Sequence, residues 1–324
     1  MKIGSIVLQV VLSILMMASG GFSQPLPLPA YPTQLVKIVV PFSAGSNTDI
    51  MARGLADKLG SLWKQTVIVE NKPGVPGTVS AANSTPDGYT LVLTSNGHTI
   101  IKLLNKDLSI DPVTAFAGIA EVGSIPMVLI VPPNSSARNL NDLFASARER
   151  PGTLNFASAG VGSSAYVAGE LLKQTAAIDI VHIPYKGTPE QLTSVMRGDA
   201  QLAMAFVGTA LSLIQSGQVR ALAVASSQRY PALPDIPTFA ESGFPQYQYD
   251  SWFGVMAPAG TPTPVIRQIS EAIGSALKNP DIAKQWETLG AVPVFSTPEQ
   301  FDLTIRSDAE RYGKLFKAAG IDTK

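Results

Sequence analysis

Apolar positions along the chain switch between a strand-like and a helix-like period, and the switch occurs twice in one pattern. Val36-Lys37-Ile38-Val39-Val40 reads as a strand and runs into the small-residue loop Phe42-Ser43-Ala44-Gly45-Ser46-Asn47-Thr48. Ile50, Met51, Leu55, Leu59 and Leu62 then recur at helical spacing. Asn47 or Thr48 is expected to cap that helix, with Asp49 in its first turn. A second strand, Thr66 to Glu70, ends at Asn71-Lys72-Pro73-Gly74. A third, Tyr89 to Leu93, follows Pro86-Asp87-Gly88 and ends at Thr94-Ser95-Asn96-Gly97. The second copy starts at Thr153-Leu154-Asn155-Phe156, with the loop Ala157-Ser158-Ala159-Gly160-Val161-Gly162-Ser163-Ser164 and a helix through Tyr166, Val167, Glu170 and Leu171. A strand from Ile178 to Ile183 ends at Tyr185-Lys186-Gly187. A helix around Pro189 to Arg197 and a strand from Ala200 to Phe206 follow.

The spacings agree: Gly45 to Gly74 is 29 residues and Gly160 to Gly187 is 27. Alternating strands and helices predict an α/β protein with mixed, mostly parallel sheets flanked by helices. The second unit reads as an insertion. Val128 to Val131 forms the outgoing crossing and Ser251 to Met256 the return, with helices at 264–278 and 297–319 packing back on the first domain. The expected division is 24–125 plus 248–324 for domain 1 and 126–247 for domain 2. Two crossings make a hinge, with a cleft between the domains.

The amino terminus is a targeting segment. Met1-Lys2 precedes an apolar run from Ile3 to Met17, and small residues follow, so cleavage is expected near residues 20–23 with 1–23 as signal peptide. Gln24 to Pro32, with four prolines, reads as a linker. The run is shorter than the roughly 20 residues a bilayer needs. With no cysteine, no thiolate site and no lipid-bearing cysteine exist, and a free periplasmic protein is expected. Lys plus Arg and Asp plus Glu are both 24, which offers no basic excess for nucleic acid.

Ligands of open α/β sheets bind beyond the carboxyl ends of the strands. Both small-residue loops lie there, ahead of helix N-termini whose free N–H groups and dipole favour anions. The candidate ligand contacts are therefore Phe42, Ser43, Ala44, Gly45, Ser46 and Asn47 in the first loop and Ser158, Gly160, Val161, Gly162, Ser163 and Ser164 in the second. Ser95, Asn96 and His98 follow a strand at the same edge, and Tyr185 and Phe206 end strands and supply apolar wall. Tyr249 and Trp252 are further wall candidates, with core packing as the alternative. Lys186 offers a cation for a second acidic group, or stands as a solvated surface lysine. Asp49, Asp87 and Asp199 each open or precede an element and read as structural caps. Gly160-Val161-Gly162-Ser163-Ser164-Ala165 fits a dinucleotide fingerprint only loosely, because Asp179 precedes its strand instead of following it. No cofactor is expected. Only two histidines, no G-x-S-x-G elbow and no H-E-x-x-H argue against a hydrolase and against a metal site.

An ordered set of motifs resembles a known family. Pro41-Phe42-Ser43-Ala44-Gly45 with Thr48-Asp49-Ile50, Val69-Glu70-Asn71-Lys72-Pro73-Gly74, and Pro86-Asp87-Gly88-Tyr89-Thr90-Leu91 come first. Tyr185-Lys186-Gly187, Gly198-Asp199-Ala200, Pro234-Asp235-Ile236-Pro237-Thr238-Phe239, Trp252-Phe253-Gly254 and Ala257-Pro258-Ala259-Gly260-Thr261-Pro262 follow. The set resembles the Bug family, the substrate-binding proteins of tripartite tricarboxylate transporters. That resemblance implies a type II periplasmic-binding-protein fold and a non-enzymatic, monomeric carrier. It also implies a small organic carboxylate held between the two loops, aromatic acids and dicarboxylates included, and hand-off to the transporter's membrane subunits. A ligand-sensing partner of a receptor is the alternative role. The chain departs from the family at Ser46-Asn47, where a second Gly and a small residue or Pro are usual, and at Val75-Pro76.

Overall fold

The computed structural model describes residues 30–318, except 106, 162 and 248. The expected leader at 1–23 and Gly162 of the second loop lie outside the described residues.

The first half is built from β1 (Val36–Val40), α1 (Asn47–Trp63), β2 (Val67–Asn71), α2 (Val75–Ala82) and β3 (Thr90–Ser95). A 3₁₀ turn (Asn96–Ile100) and the short α3 (Ile101–Leu104) follow, and the long strand β4 (Phe116–Val131) comes next. Beyond it lie α4 (Leu140–Glu149), β5 (Asn155–Ser158), α5 (Ser164–Ala176), β6 (Val181–Pro184), α6 (Thr188–Arg197), β7 (Leu202–Phe206), α7 (Val207–Gln215) and β8 (Arg220–Val224). The chain returns through β9 (Asp250–Pro258) and ends with α8 (Thr263–Leu277), α9 (Pro280–Thr288) and α10 (Pro298–Ala318).

The strand order is β2-β1-β3-β9-β4-β7-β5-β6, with β8 also on β4. β4 belongs to two sheets. Phe116 to Pro126 pair with β9 in the first, and Met127 to Val131 pair with β7 and β8 in the second. Pairing is parallel within the repeated βα units (β1 with β2 and β3, β5 with β6 and β7). It is antiparallel wherever β4 or β9 takes part. The expectation of mostly parallel sheets thus holds for the βα units and gives way at the crossing strands. The outgoing crossing also starts twelve residues earlier than Val128. Its first half was not legible because Gly118 and Gly123 break the apolar run.

Two main cores fill the two sheets. Val36, Ile38, Met51, Leu55, Leu91, Ile119 and Trp286 belong to the first, and Met127, Leu129, Phe144, Phe156, Val167 and Met204 to the second. The terminal helix departs from expectation. Phe301 and Ile305 pack on the first sheet, but Tyr312 and Phe316 join the core of the second, beside Tyr166. At ~1.5 Å per residue a helix of this length reaches both.

Glycines in the crossing strands make room for the helices. A Cβ on Gly254, at the centre of β9, would overlap the ring of the fully buried Phe301. Gly254→Ala should destabilise the protein by about 1–3 kcal/mol, the usual penalty of overpacking. Denaturant unfolding of the variant checks this, and an unchanged midpoint would contradict the packing.

Candidate functional site

The first loop is shaped by Asp49. Its carboxylate accepts from Gly45 N (2.9 Å), Arg53 Nε (3.0 Å) and Asn71 Nδ2 (2.9 Å). Asn71 Nδ2 also donates to the Phe42 carbonyl (3.2 Å) and Arg53 donates to Asn71 Oδ1 (3.0 Å). Burial pushes the Asp49 carboxyl up, but the hydrogen bonds from Arg53, Gly45 and Asn71 outweigh it and hold it below the usual range. Gly45 reaches the carboxylate at φ +79°, a conformation that favours glycine. The cap of α1 is Ser46, whose hydroxyl accepts from Asp49 N (3.2 Å). Asn47 and Thr48, the expected caps, are the first helical residues instead.

The second loop is tied the same way. Ser163 caps α5 by accepting from Tyr166 N (3.2 Å), and its hydroxyl donates to the Gly160 carbonyl (2.7 Å). Ser158 Oγ accepts from Gly160 N (3.1 Å) and meets His182 Nε2 (2.7 Å). Between the sheets, the Ser164 hydroxyl donates to Asn96 Oδ1 (2.8 Å) and accepts from Ser251 (2.7 Å). Asn96 Nδ2 donates to the Tyr249 hydroxyl (2.7 Å).

A chamber of about 100 Å³ opens between the loops. Three helices begin on its wall: α1 at Asn47-Thr48, α5 at Ser164-Ala165 and α6 at Thr188. The first N–H groups of a helix have no partner within it, and its dipole is positive at that end. Asn47 adds a side-chain donor, because its Nδ2 is buried without a hydrogen-bond partner among the described residues. Phe42, Met127, Met204, Phe206 and Phe253 supply the apolar wall. Among the described residues the one charged side chain on the lining is Lys186, which is exposed. This arrangement offers an anion fixed dipoles, with apolar surface for the rest of a molecule. A second chamber of about 170 Å³ shares Phe42, Ser43, Ala159, Ser163 and Lys186 with the first.

The family model for the tripartite tricarboxylate transporter family receptor matches residues 50–321. The chain belongs to that family. It is 33% identical over 312 residues to the protein BugT of Bordetella pertussis, covering 95% of this chain and 96% of BugT. Two solved structures share the fold. The periplasmic binding protein BugD gives a TM-score of 0.80 at 32% identity, covering 91% of this chain and 100% of BugD. MatC of Rhodopseudomonas palustris with bound malate gives 0.79 at 28%, covering 88% and 99%. Family and neighbours are substrate-binding proteins, not enzymes. Among the described residues no helix is long and apolar enough to cross a membrane.

Within this receptor-family chain, Phe42, Ser43, Ser46, Asn47, Ser95, Ser163, Ser164 and Phe206 line the first chamber. Phe42, Ser43, His98, Val161 and Ser163 line the second. Ala44 and Gly45 stand exposed at the loop tip, and Ser158 and Gly160 lie behind the lining, holding the loop's shape. Asn96 is buried behind the wall, its amide spent on Ser164, Ser251 and Tyr249. Tyr185 packs on the Leu192–Ala203 core and lines a separate surface hollow. Tyr249 and Trp252 are core residues, the latter donating to Asp308 (2.7 Å). Of the expected caps, Asp49 holds the first loop, and Asp87 accepts from Tyr89 N (3.0 Å) in the turn before β3. Asp199 stands exposed after Gly198, which closes α6 in the left-handed conformation.

The start of α6 was missed as a ligand element. The helix itself is expected from around Pro189, where Pro in the first turn marks its start, but nothing in the sequence places that start at the chamber. Met127 and Met204, inside strands, carry no local signal that marks them as chamber wall.

Two predictions follow from the site chemistry. Asn47→Ala should weaken binding of an acid by about 1.5–3 kcal/mol, roughly tenfold to a hundredfold, without lowering the melting midpoint, as read by calorimetry and thermal unfolding. The second concerns pH. Burial lowers His98 from 6.5 to about 4 against smaller opposing contributions from the Pro112 carbonyl and Asp111. His182 also falls to about 4, through burial and then Lys173. The unfolded chain therefore binds protons between pH 6.5 and 4 that the folded chain refuses, so stability falls as pH drops through that window. His98→Gln should flatten the slope of unfolding free energy against pH between 6.5 and 4.5, and an unaltered slope would contradict the assignment.

Proposed function

We propose that the protein captures a small organic carboxylate in the first chamber and delivers it from the periplasm to the membrane subunits of a tripartite tricarboxylate transporter. The observation that carries this reading is the convergence of three helix N-termini and the Asn47 amide on one chamber; among the described residues that amide has no partner and the lining has no acidic side chain. Hydrogen bonds to a charged group contribute about 1.5–3 kcal/mol each, so a few of them support micromolar binding without arginine. The malate held by MatC supports the same ligand class. The chain works as a monomer after loss of residues 1–23.

Capture uses a hinge. Domain 1, 24–125 with 248–324, and domain 2, 126–247, are joined where β4 changes sheets at Pro126-Met127 and where β9 begins. Closing excludes water and strengthens the hydrogen bonds to the anion, and differential affinity for the closed state sets how far ligand shifts the equilibrium.

The decisive experiment is a thermal-shift panel of mono-, di- and tricarboxylates on the purified chain, with calorimetry on each hit. Ligand at 100 times its Kd adds about 2.7 kcal/mol. One acid that stabilises and binds stoichiometrically supports the reading, and a panel in which none does overturns it. The hinge has its own test. A Cβ on Gly208, in the first turn of α7, would overlap the backbone carbonyl of Leu289 on the other lobe. Gly208→Val should weaken the tightest acid at least tenfold while the ligand-free melting midpoint holds, because opening relieves the overlap. A lower midpoint with unchanged affinity would mean that the lobes do not separate there.

A further inference from the structure

The second chamber adjoins the first, with five lining residues in common, and two of its lining residues carry polar atoms that the fold leaves unmatched. His98 is 2% exposed and Thr78 0%, and neither His98 Nδ1 nor Thr78 Oγ1 has a hydrogen-bond partner among the described residues. Buried polar atoms are rarely left so, and two of them on residues of one cavity lining point to a group that occupies it. Around them the lining is largely apolar: Pro41, Pro73, Val75, Ile101 and Leu104.

The chemistry of that group can be read from the histidine. Nε2 lies 2.9 Å from the Pro112 carbonyl, an acceptor only, so Nε2 carries the proton. Burial keeps the ring neutral, which leaves Nδ1 as a lone pair. Whatever meets Nδ1 must donate. A carboxylate has only acceptors and would face that lone pair directly. An ammonium would lose its hydration in a chamber whose lining, among the described residues, has no acidic side chain and includes the exposed Lys186. A hydroxyl has the polarity that both atoms ask for, since it can donate to His98 Nδ1 and accept from the Thr78 hydroxyl.

We propose that the second chamber is a subsite for a hydroxyl on the acid held in the first, recognised by His98 Nδ1 and Thr78 Oγ1, so that the ligand is a hydroxylated monocarboxylate. This rests on the carboxylate reading above and narrows it to one class.

The test is calorimetry on matched pairs: 3- and 4-hydroxybenzoate against benzoate, 4-hydroxybutyrate against butyrate and 6-hydroxyhexanoate against hexanoate. Adipate serves as the distal carboxylate. In at least one pair the hydroxyl should tighten binding tenfold or more, and adipate should bind more weakly than 6-hydroxyhexanoate. Thr78→Val should cut the hydroxyl's gain at least fivefold while the affinity for the parent acid stays within a factor of two. The ligand-free variant should melt no lower than the wild type, since the hydroxyl removed has no partner to lose. The subsite is overturned if parent acids bind but no hydroxyl improves on them, if adipate binds more tightly than 6-hydroxyhexanoate, or if Thr78→Val leaves the gain intact. Failure of every acid to bind would bring down the carboxylate reading and the subsite with it, an outcome distinct from the subsite's own failure, in which parent acids still bind.

Discussion

The hydrogen bonds that converge on Asp49 set the geometry on which the first chamber depends. One buried carboxylate takes the Gly45 amide, the Arg53 guanidinium and the Asn71 amide, and Asn71 in turn holds the Phe42 carbonyl. The loop is thereby closed at both ends, with Gly45 in the left-handed region and Ser46 placed to cap α1. Because Ser46 takes the cap, Asn47 is free to present its amide to the chamber. A loop with Asn47 as cap would spend that donor on its own helix. The charge that stabilises the loop sits behind it, so the anion-facing surface carries dipoles and no acid.

The same economy appears between the lobes. β4 runs unbroken from one sheet into the other, and the hydroxyl and amide groups of Ser164, Ser251 and Asn96 saturate each other where the lobes touch. The terminal helix buries Phe301 in one lobe and Phe316 in the other. A β-strand and a helix that serve both lobes restrict how the two can move. Gly208 packs directly on the Leu289 backbone, and that approach is possible only because position 208 has no side chain.

Much of this was legible in the chain because its signals are local. Small residues followed by a cap and a helical stripe mark α1 and α5, and their position after a strand marks the anion edge. What was not legible depends on partners far away in sequence. Gly118 and Gly123 hid half of β4, and their reason for being glycine lies in Asp302 and Trp286. Asn96 looked like a ligand contact until Ser164, Ser251 and Tyr249 accounted for it. Tyr185 ends a strand, which makes it a candidate for the chamber wall, but strand position does not say which face a side chain takes. The family motifs around Asn71 and Asp49 turn out to act on loop shape, which no residue-by-residue reading of chemistry would assign.

Dipoles that gather at three helix ends are poor at telling one anion from another, since any carboxylate or inorganic oxyanion meets the same N–H groups. Selectivity therefore has to come from what the anion carries. The first chamber is too small to do this alone, and its apolar wall rewards bulk without fixing its chemistry. The second chamber holds groups with a fixed polarity: a neutral histidine whose proton is committed to Pro112, and a threonine hydroxyl held in an apolar surround. A site that binds by charge in one compartment and discriminates by hydrogen-bond sense in the next can change its ligand through Thr78 or Val75 without disturbing Asp49. Of the departure from the usual small pair at Val75-Pro76, Val75 lines that second compartment.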